Sequence, residues 1–210
     1  MSARLIYVMD PMCSWCWGFA PVAGALIDQA NQAGVPTHLV VGGLRSGSAA
    51  LDGATRKYIL EHWQAVAQTT GQPFNFEGAM PDGFVYDTEP ACRALVAARA
   101  LDGERLWPLL AAIQSAFYEG AHDVTTAPHL VELAEQAGFE RGPFAEAFTR
   151  AETRTATAAD FAWAQGLGIA GFPTLLAERN GQLALLTNGY QPLERLQPLL
   201  GRWLQQAASA

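Results

Sequence analysis

Cys13 and Cys16 lie three residues apart in the run Asp10-Pro11-Met12-Cys13-Ser14-Trp15-Cys16-Trp17-Gly18-Phe19. If that run opens a helix, the two thiols share a face and stand close enough to form a disulfide. The first then occupies the place where unpaired backbone N–H groups and the helix dipole favour an anion, which suits a thiolate nucleophile. The second lies one turn further in, shielded, and is placed to attack the mixed disulfide that the first forms with a partner. The chemistry this spacing predicts is thiol–disulfide exchange, with Cys13 as attacking residue, Cys16 as resolving residue and Ser14 and Trp15 as the intervening motif.

Other uses of these residues carry less weight. A structural zinc site needs four ligands, and Cys92, His38, His62, His122 and His129 show no spacing that makes a second half-site. No metal is expected. Two inert buried cysteines remain an alternative, since a free cysteine packs as a small hydrophobe. Cys92 itself falls with Leu95 and Val96 on an apolar helix face and reads as core. The histidines show no pairing with a nucleophile, which disfavours a Cys-His hydrolase. Trp15 is read as lining a hydrophobic substrate groove, while Trp17 reads equally well as packing. Asp10 fits a proton acceptor for Cys16, although Asp-Pro ahead of a helix is first a turn and cap signal.

The elements that must position the pair follow from periodicity. Residues 4–9 read as a buried strand, a helix follows from about Cys13 to Asn31, and residues 37–42 read as a second buried strand, giving a parallel strand–helix–strand unit. From about 50 to 167 apolar residues recur at helical spacing: Ile59, Trp63, Val66 and Thr70; Leu106, Leu109, Leu110, Ile113 and Phe117; Leu130, Leu133, Ala134 and Ala137. Thr88 and Thr126, each two residues ahead of a proline, are expected to cap helices with their hydroxyls. The Gly-, Pro- and Phe-rich segment 71–87 is expected as a loop and a candidate cleft wall. Strand pattern returns on both sides of Asn180-Gly181, a strong hairpin signal, and an amphipathic helix with Leu193, Leu196, Leu200, Trp203 and Leu204 on one side closes the chain.

This order resembles an α/β thioredoxin fold with an inserted all-helical domain, divided as 1–48, 49–165 and 166–210. In such a topology Gly171-Phe172-Pro173-Thr174 gains a meaning it lacks alone. By itself Pro173 reads as an ordinary strand-starting proline. Beside the cysteine pair and the hairpin, the Phe172–Pro173 bond is expected to be cis, turning the Phe172 backbone toward the cysteines and leaving an edge to which an extended substrate could add. Phe172, Pro173 and Thr174, with Trp15, are therefore the candidate substrate-binding residues.

On these motifs the chain resembles the DsbA-like family of thioredoxin-fold proteins, including the cytosolic branch related to FrnE. The resemblance spans the whole chain. It implies that Cys13 is the nucleophile, Cys16 the resolving cysteine, and Pro173 a cis proline facing the site. The chain departs from the strongly oxidising members, which place a histidine next to the second cysteine, where this chain has Trp15. Kappa-class glutathione transferases and hydroxychromene carboxylate isomerases also resemble this architecture and give the alternative function. They generally use a serine in place of the nucleophilic cysteine, and Ser14 is expected to point elsewhere on the helix. A second alternative is a peptide-binding module acting through the helical domain, with vestigial cysteines.

Composition narrows the partners. With 20 acidic against 13 basic residues and a formal charge of −7, the chain offers no electrostatic footprint for nucleic acid or an anionic membrane. The apolar run Leu5–Met9 is too short for a signal-peptide core or a membrane span, and an odd set of three cysteines argues against a structural disulfide framework. The reading is a cytoplasmic oxidoreductase without a bound cofactor, exchanging with protein or peptide thiols and disulfides, with glutathione as an additional candidate thiol partner. Oligomeric state has no signal in the sequence.

Overall fold

A computed structural model describes residues 3–208; the outermost residues of the first and last expected parts lie outside that range. The chain runs β1 (Ala3–Met9), α1 (Ser14–Gln32), β2 (Thr37–Val41), α2 (Gly53–Thr70), α3 (Glu89–Leu101), α4 (Leu106–Tyr118), α5 (Ala127–Gln136), α6 (Arg141–Thr149), α7 (Ala151–Gly166), β3 (Thr174–Arg179), β4 (Gln182–Asn188) and α8 (Leu193–Ala208). The strands form one sheet in the order β2-β1-β3-β4, with β1 parallel to β2 and antiparallel to β3. This is a thioredoxin-like sheet with a block of helices between its two halves.

Strand alternation explains how both faces of the sheet are buried. Leu5, Tyr7 and Met9 of β1, Leu39 and Val41 of β2, and Leu175 and Ala177 of β3 point into the main core, shared with α1 and α8. Their neighbours Ile6, Val8, Val40 and Leu176 point the other way and pack on Ala164 of α7. A period of two along each strand thus feeds two layers. The hairpin forms at Asn180-Gly181, where both residues take positive φ, 50° and 81°, as a type I′ turn requires.

The helical block has its own aromatic centre. Trp63 is fully buried and its ring lies 4.9 Å from that of Tyr118 and 5.4 Å from that of Phe117. Asp52 caps α2 by accepting from Thr55 N at 2.6 Å, and Gly71 ends it with φ 76°. The two expected threonine caps form differently. Thr126 makes no side-chain cap bond. Thr88 turns its hydroxyl away from α3 and donates instead to the Arg45 carbonyl at 3.2 Å. That bond anchors the loop after β2 to the helical block, next to the cysteines.

Candidate active site

The site starts from a turn that the sequence makes almost unavoidable. Pro11 cannot continue β1 as a hydrogen-bond donor, and Asp10 folds back so that its carbonyl accepts from Cys13 N at 3.0 Å and its Oδ1 from Met12 N at 2.8 Å. Cys13 becomes the N-cap residue of α1, with extended backbone at φ −88° and ψ 117°. Its carbonyl accepts from both Cys16 N and Trp17 N. The nucleophile candidate therefore stands at the mouth of the helix, while Cys16, one turn inward, has no exposed surface at all.

On the far side the Phe172–Pro173 peptide is cis, and the Cys13 thiol faces the Phe172 carbonyl with Sγ 3.7 Å from O. Gly42 makes room for this neighbour. A Cβ at Gly42 would come within 2.1 Å of the Phe172 ring, so only glycine lets the ring lie against the end of β2. The Gly171–Thr174 turn is fastened from behind. Thr174 is buried, and its hydroxyl donates to Gly171 O at 2.9 Å and lies 3.1 Å from Asn188 Oδ1. Pro173 O accepts from Gly189 N at 2.7 Å.

A cavity of about 310 Å³ opens in front of Cys13, lined among others by Trp15, Arg45, His62, Tyr86 and Phe172. Of the expected substrate-binding residues, Trp15 and Phe172 border it, whereas Pro173 and Thr174 stand behind and hold the turn. Ser14, the first residue of α1, is buried and also borders the cavity. Trp17 is packing. It stacks on Tyr118 at 5.9 Å and its indole donates to Pro73 O at 2.9 Å.

Several residues here have no signal in the sequence. The Trp15 indole donates to His62 Nε2 at 3.0 Å, which places the His62 proton on Nδ1 when the ring is neutral. Tyr86, from the loop expected as a cleft wall, donates to Met12 O at 2.5 Å. His62 sits beside the apolar stripe of α2 that Ile59 and Trp63 define, and a lone histidine at the edge of such a stripe looks like any half-exposed residue.

Behind the pair lies a buried polar cluster. Burial pushes the Cys16 thiol well above its ordinary value, and the hydrogen bond and charge of Cys13 push it further. The neighbouring Tyr7 phenol is also raised, mainly by burial and then by the charges of Cys16 and Cys13. Asp10 is fully buried and its carboxyl is likewise raised by burial, against the bonds from the Leu44 N–H, Thr88 and the Met12 N–H that favour the charged form. Its Oδ2 accepts from Leu44 N at 2.7 Å and from the Cys92 thiol at 3.4 Å. Asp10 thus ties the turn before α1 to the loop after β2. Cys92 is in the core, as its helix face implies, and has a polar partner there. Its thiol is raised by burial and by Asp10.

This arrangement can order two chemical steps. Cys13 borders the cavity, and a negative charge on Cys13 would hold the buried Cys16 thiol protonated. A mixed disulfide at Cys13 would remove that charge, and with it one cause of the raised Cys16 pKa. Among the described residues, no three His, Cys, Asp or Glu side chains are grouped to hold a metal ion.

Comparison with known proteins agrees with this geometry. Residues 4–201 match the model of the DSBA-like thioredoxin domain. A candidate protein disulfide isomerase from Nitrosomonas europaea is 43% identical, with a TM-score of 0.91 over 98% of this chain and 99% of that one. The cytosolic disulfide reductase DsbM from Pseudomonas aeruginosa is 33% identical, with a TM-score of 0.81 over 97% of this chain and 99% of that one. The same reductase solved with GSH matches at 31% identity and a TM-score of 0.79, over 96% and 99% of the two chains. No match was found among curated proteins. A family model that covers nearly the whole length, together with relatives this similar from end to end, leaves one conclusion: the chain belongs to the DsbA-like thioredoxin-domain family.

Proposed function

We propose that this protein is a thiol–disulfide oxidoreductase that cycles Cys13 and Cys16 between dithiol and disulfide, exchanging with protein, peptide or low-molecular-weight thiols. The observation that carries the reading is the asymmetry of the pair: Cys13 stands at the mouth of the cavity against Phe172 O, and Cys16 is sealed one turn behind it. Cys13 attacks a partner disulfide, one partner thiolate leaves, and Cys16 then attacks Cys13 to release the other. The two cysteines lose two electrons and the partner gains them; the reverse sequence reduces the protein.

Trp15 and Phe172 are the substrate-contacting residues of this reading, Pro173 and Thr174 hold the turn that presents Phe172, and Ser14 completes the wall beside Cys13. The helical insertion, expected at 49–165, supplies the opposite wall through α2 and Tyr86 and so governs which partner fits. The likeness to a cytosolic reductase solved with GSH supports a cytoplasmic setting and glutathione as a thiol partner. No metal or bound cofactor enters the cycle.

Equilibrating the protein across glutathione redox buffers, and counting free thiols with an alkylating mass tag, tests this reading. A two-electron transition assigned to Cys13–Cys16 is the expected result. A potential near or below the cytosolic poise of roughly −220 to −320 mV marks a reductase, and a value well above it an oxidant or isomerase. If no Cys13–Cys16 disulfide forms in any buffer the redox reading is wrong, and glutathione-dependent transfer or isomerisation takes its place.

A further inference from the structure

Arg45 lies beside the nucleophile without a task that the exchange chemistry assigns it. Six of the chain's twelve arginines, Arg4, Arg93, Arg99, Arg105, Arg141 and Arg150, each meet a carboxylate. Arg45 meets none among the described residues. Its guanidinium instead rests over the Tyr86 ring, 5.1 Å from the centroid, on the border of the Cys13 cavity. No aspartate or glutamate lines that cavity, although the chain as a whole carries a formal charge of −7. The opening in front of Cys13 is therefore a locally cationic place on an acidic protein.

The loop that carries Arg45 is built rather than loose. The preceding N–H, that of Leu44, donates to the buried Asp10 carboxylate at 2.7 Å. The Arg45 carbonyl accepts from Thr88 N at 2.9 Å and from the Thr88 hydroxyl, and Thr88 is fully buried. The backbone is thus fixed on both sides of the residue, and the Tyr86 ring supports the side chain. A guanidinium held this way loses less freedom when it takes up an anion, and its planar fork fits a carboxylate.

We propose that Arg45 holds a carboxylate of an anionic low-molecular-weight disulfide, of the glutathione type, while Cys13 attacks its sulfur. The assignment rests on the thiol–disulfide reading above. It makes Arg45 a specificity residue of the cavity, whose volume of about 310 Å³ lies at the lower end of the roughly 300–1,000 Å³ typical of small-molecule sites. In the step itself the Cys13 thiolate forms a bond to one sulfur of the bound disulfide, and the sulfur–sulfur bond breaks. One thiolate leaves and takes a proton from water. The half that remains attached to Cys13 is the half whose carboxylate Arg45 holds, until Cys16 releases it.

Stopped-flow exchange of the reduced protein with three disulfides tests the assignment: glutathione disulfide, which is anionic, hydroxyethyl disulfide, which is neutral, and cystamine, which is cationic. In Arg45→Gln the rate ratio of glutathione disulfide to hydroxyethyl disulfide is expected to fall about fivefold, as for a partly exposed charged hydrogen bond. The cystamine ratio should rise in the same variant. Arg45→Lys, which keeps the charge but not the fork, is expected to retain part of the preference. Added salt should lower the wild-type ratio and leave that of Arg45→Gln nearly flat. Equal slowing with all three disulfides overturns the proposal, because it places the charge on the Cys13 thiolate and not on the substrate. A wild-type protein that exchanges with none of them overturns the redox reading itself, and the assignment falls with it.

Discussion

Cys13 and Cys16 lie within one turn of α1, yet they face different media. Outward, Cys13 opens on a cavity bordered by Arg45, His62 and Trp15. Inward, Cys16 is enclosed with Tyr7 and Asp10, and the thiol, the phenol and the carboxyl there are all pushed toward their protonated forms by burial. The difference shows how two identical side chains acquire different roles. In the proposed cycle, access and a helix N-terminus suit Cys13 to attack, and desolvation suits Cys16 to wait.

The largest expected effect breaks the comparison outright. Cys13→Ser should lower exchange by more than about a hundredfold, whereas Cys16→Ser should keep the first step and accumulate a mixed disulfide. Intact-mass analysis after quenching shows which species forms. If Cys16→Ser exchanges through complete cycles at the wild-type rate, the division of roles is wrong.

Next in size is the reactivity of the reduced protein. At neutral pH, iodoacetamide should modify Cys13 and leave Cys16 and Cys92 at least about a hundredfold slower, because burial raises both inward thiols. Peptide mapping reads this directly, and comparable labelling of Cys16 would mean that the inner side is open to water.

Asp10 offers a test of the inward side by pH. Its folded-state pKa is raised by burial, so the folded protein binds more protons than the unfolded chain once pH exceeds the ordinary carboxylate value of about 4. Stability from this group is therefore fully present below that value and declines as pH rises through the raised one. Asp10→Asn should lose about 2 kcal/mol at acid pH, because an amide cannot accept from both the Met12 and Leu44 N–H groups. The gap from wild type should narrow as pH rises. Urea unfolding at a series of pH values measures it, and a gap independent of pH would show that Asp10 is not buried as an acid.

The outward side is tested more gently. Gly42→Ala should displace the Phe172 ring, cost about 1–2 kcal/mol by overpacking and slow exchange at Cys13. Unaltered exchange in a destabilised Gly42→Ala would separate the ring's packing from the Phe172 carbonyl's place beside the thiol. His62→Ala should cost about 1 kcal/mol or less, through the lost Trp15 hydrogen bond. Trp15 fluorescence would report whether the ring then moves.

Much of this was legible in the sequence because local rules dominate there. Alternation fixed which strand residues point to which core, as Tyr7 and Val8 on opposite faces of β1 illustrate. Asn180-Gly181 dictated its own turn, and the Cys13–Cys16 spacing required only that a helix begin at that point. Thr88 went astray for an instructive reason. A hydroxyl ahead of Glu89-Pro90 is a cap by local rules, but the Arg45 carbonyl offers it a partner 43 residues away in sequence.

The chain's own order of residues thus determined the dithiol, the elements that carry it and the division between sheet and helical block, since each depends on periodicity or on contacts a few residues apart. Only the tertiary structure decided what surrounds the thiols. Arg45 and His62 at the cavity, Asp10 between Leu44 and Cys92, and Phe172 against Gly42 are pairings between distant segments. Such pairings depend on how the helices dock on the sheet, which no local pattern encodes.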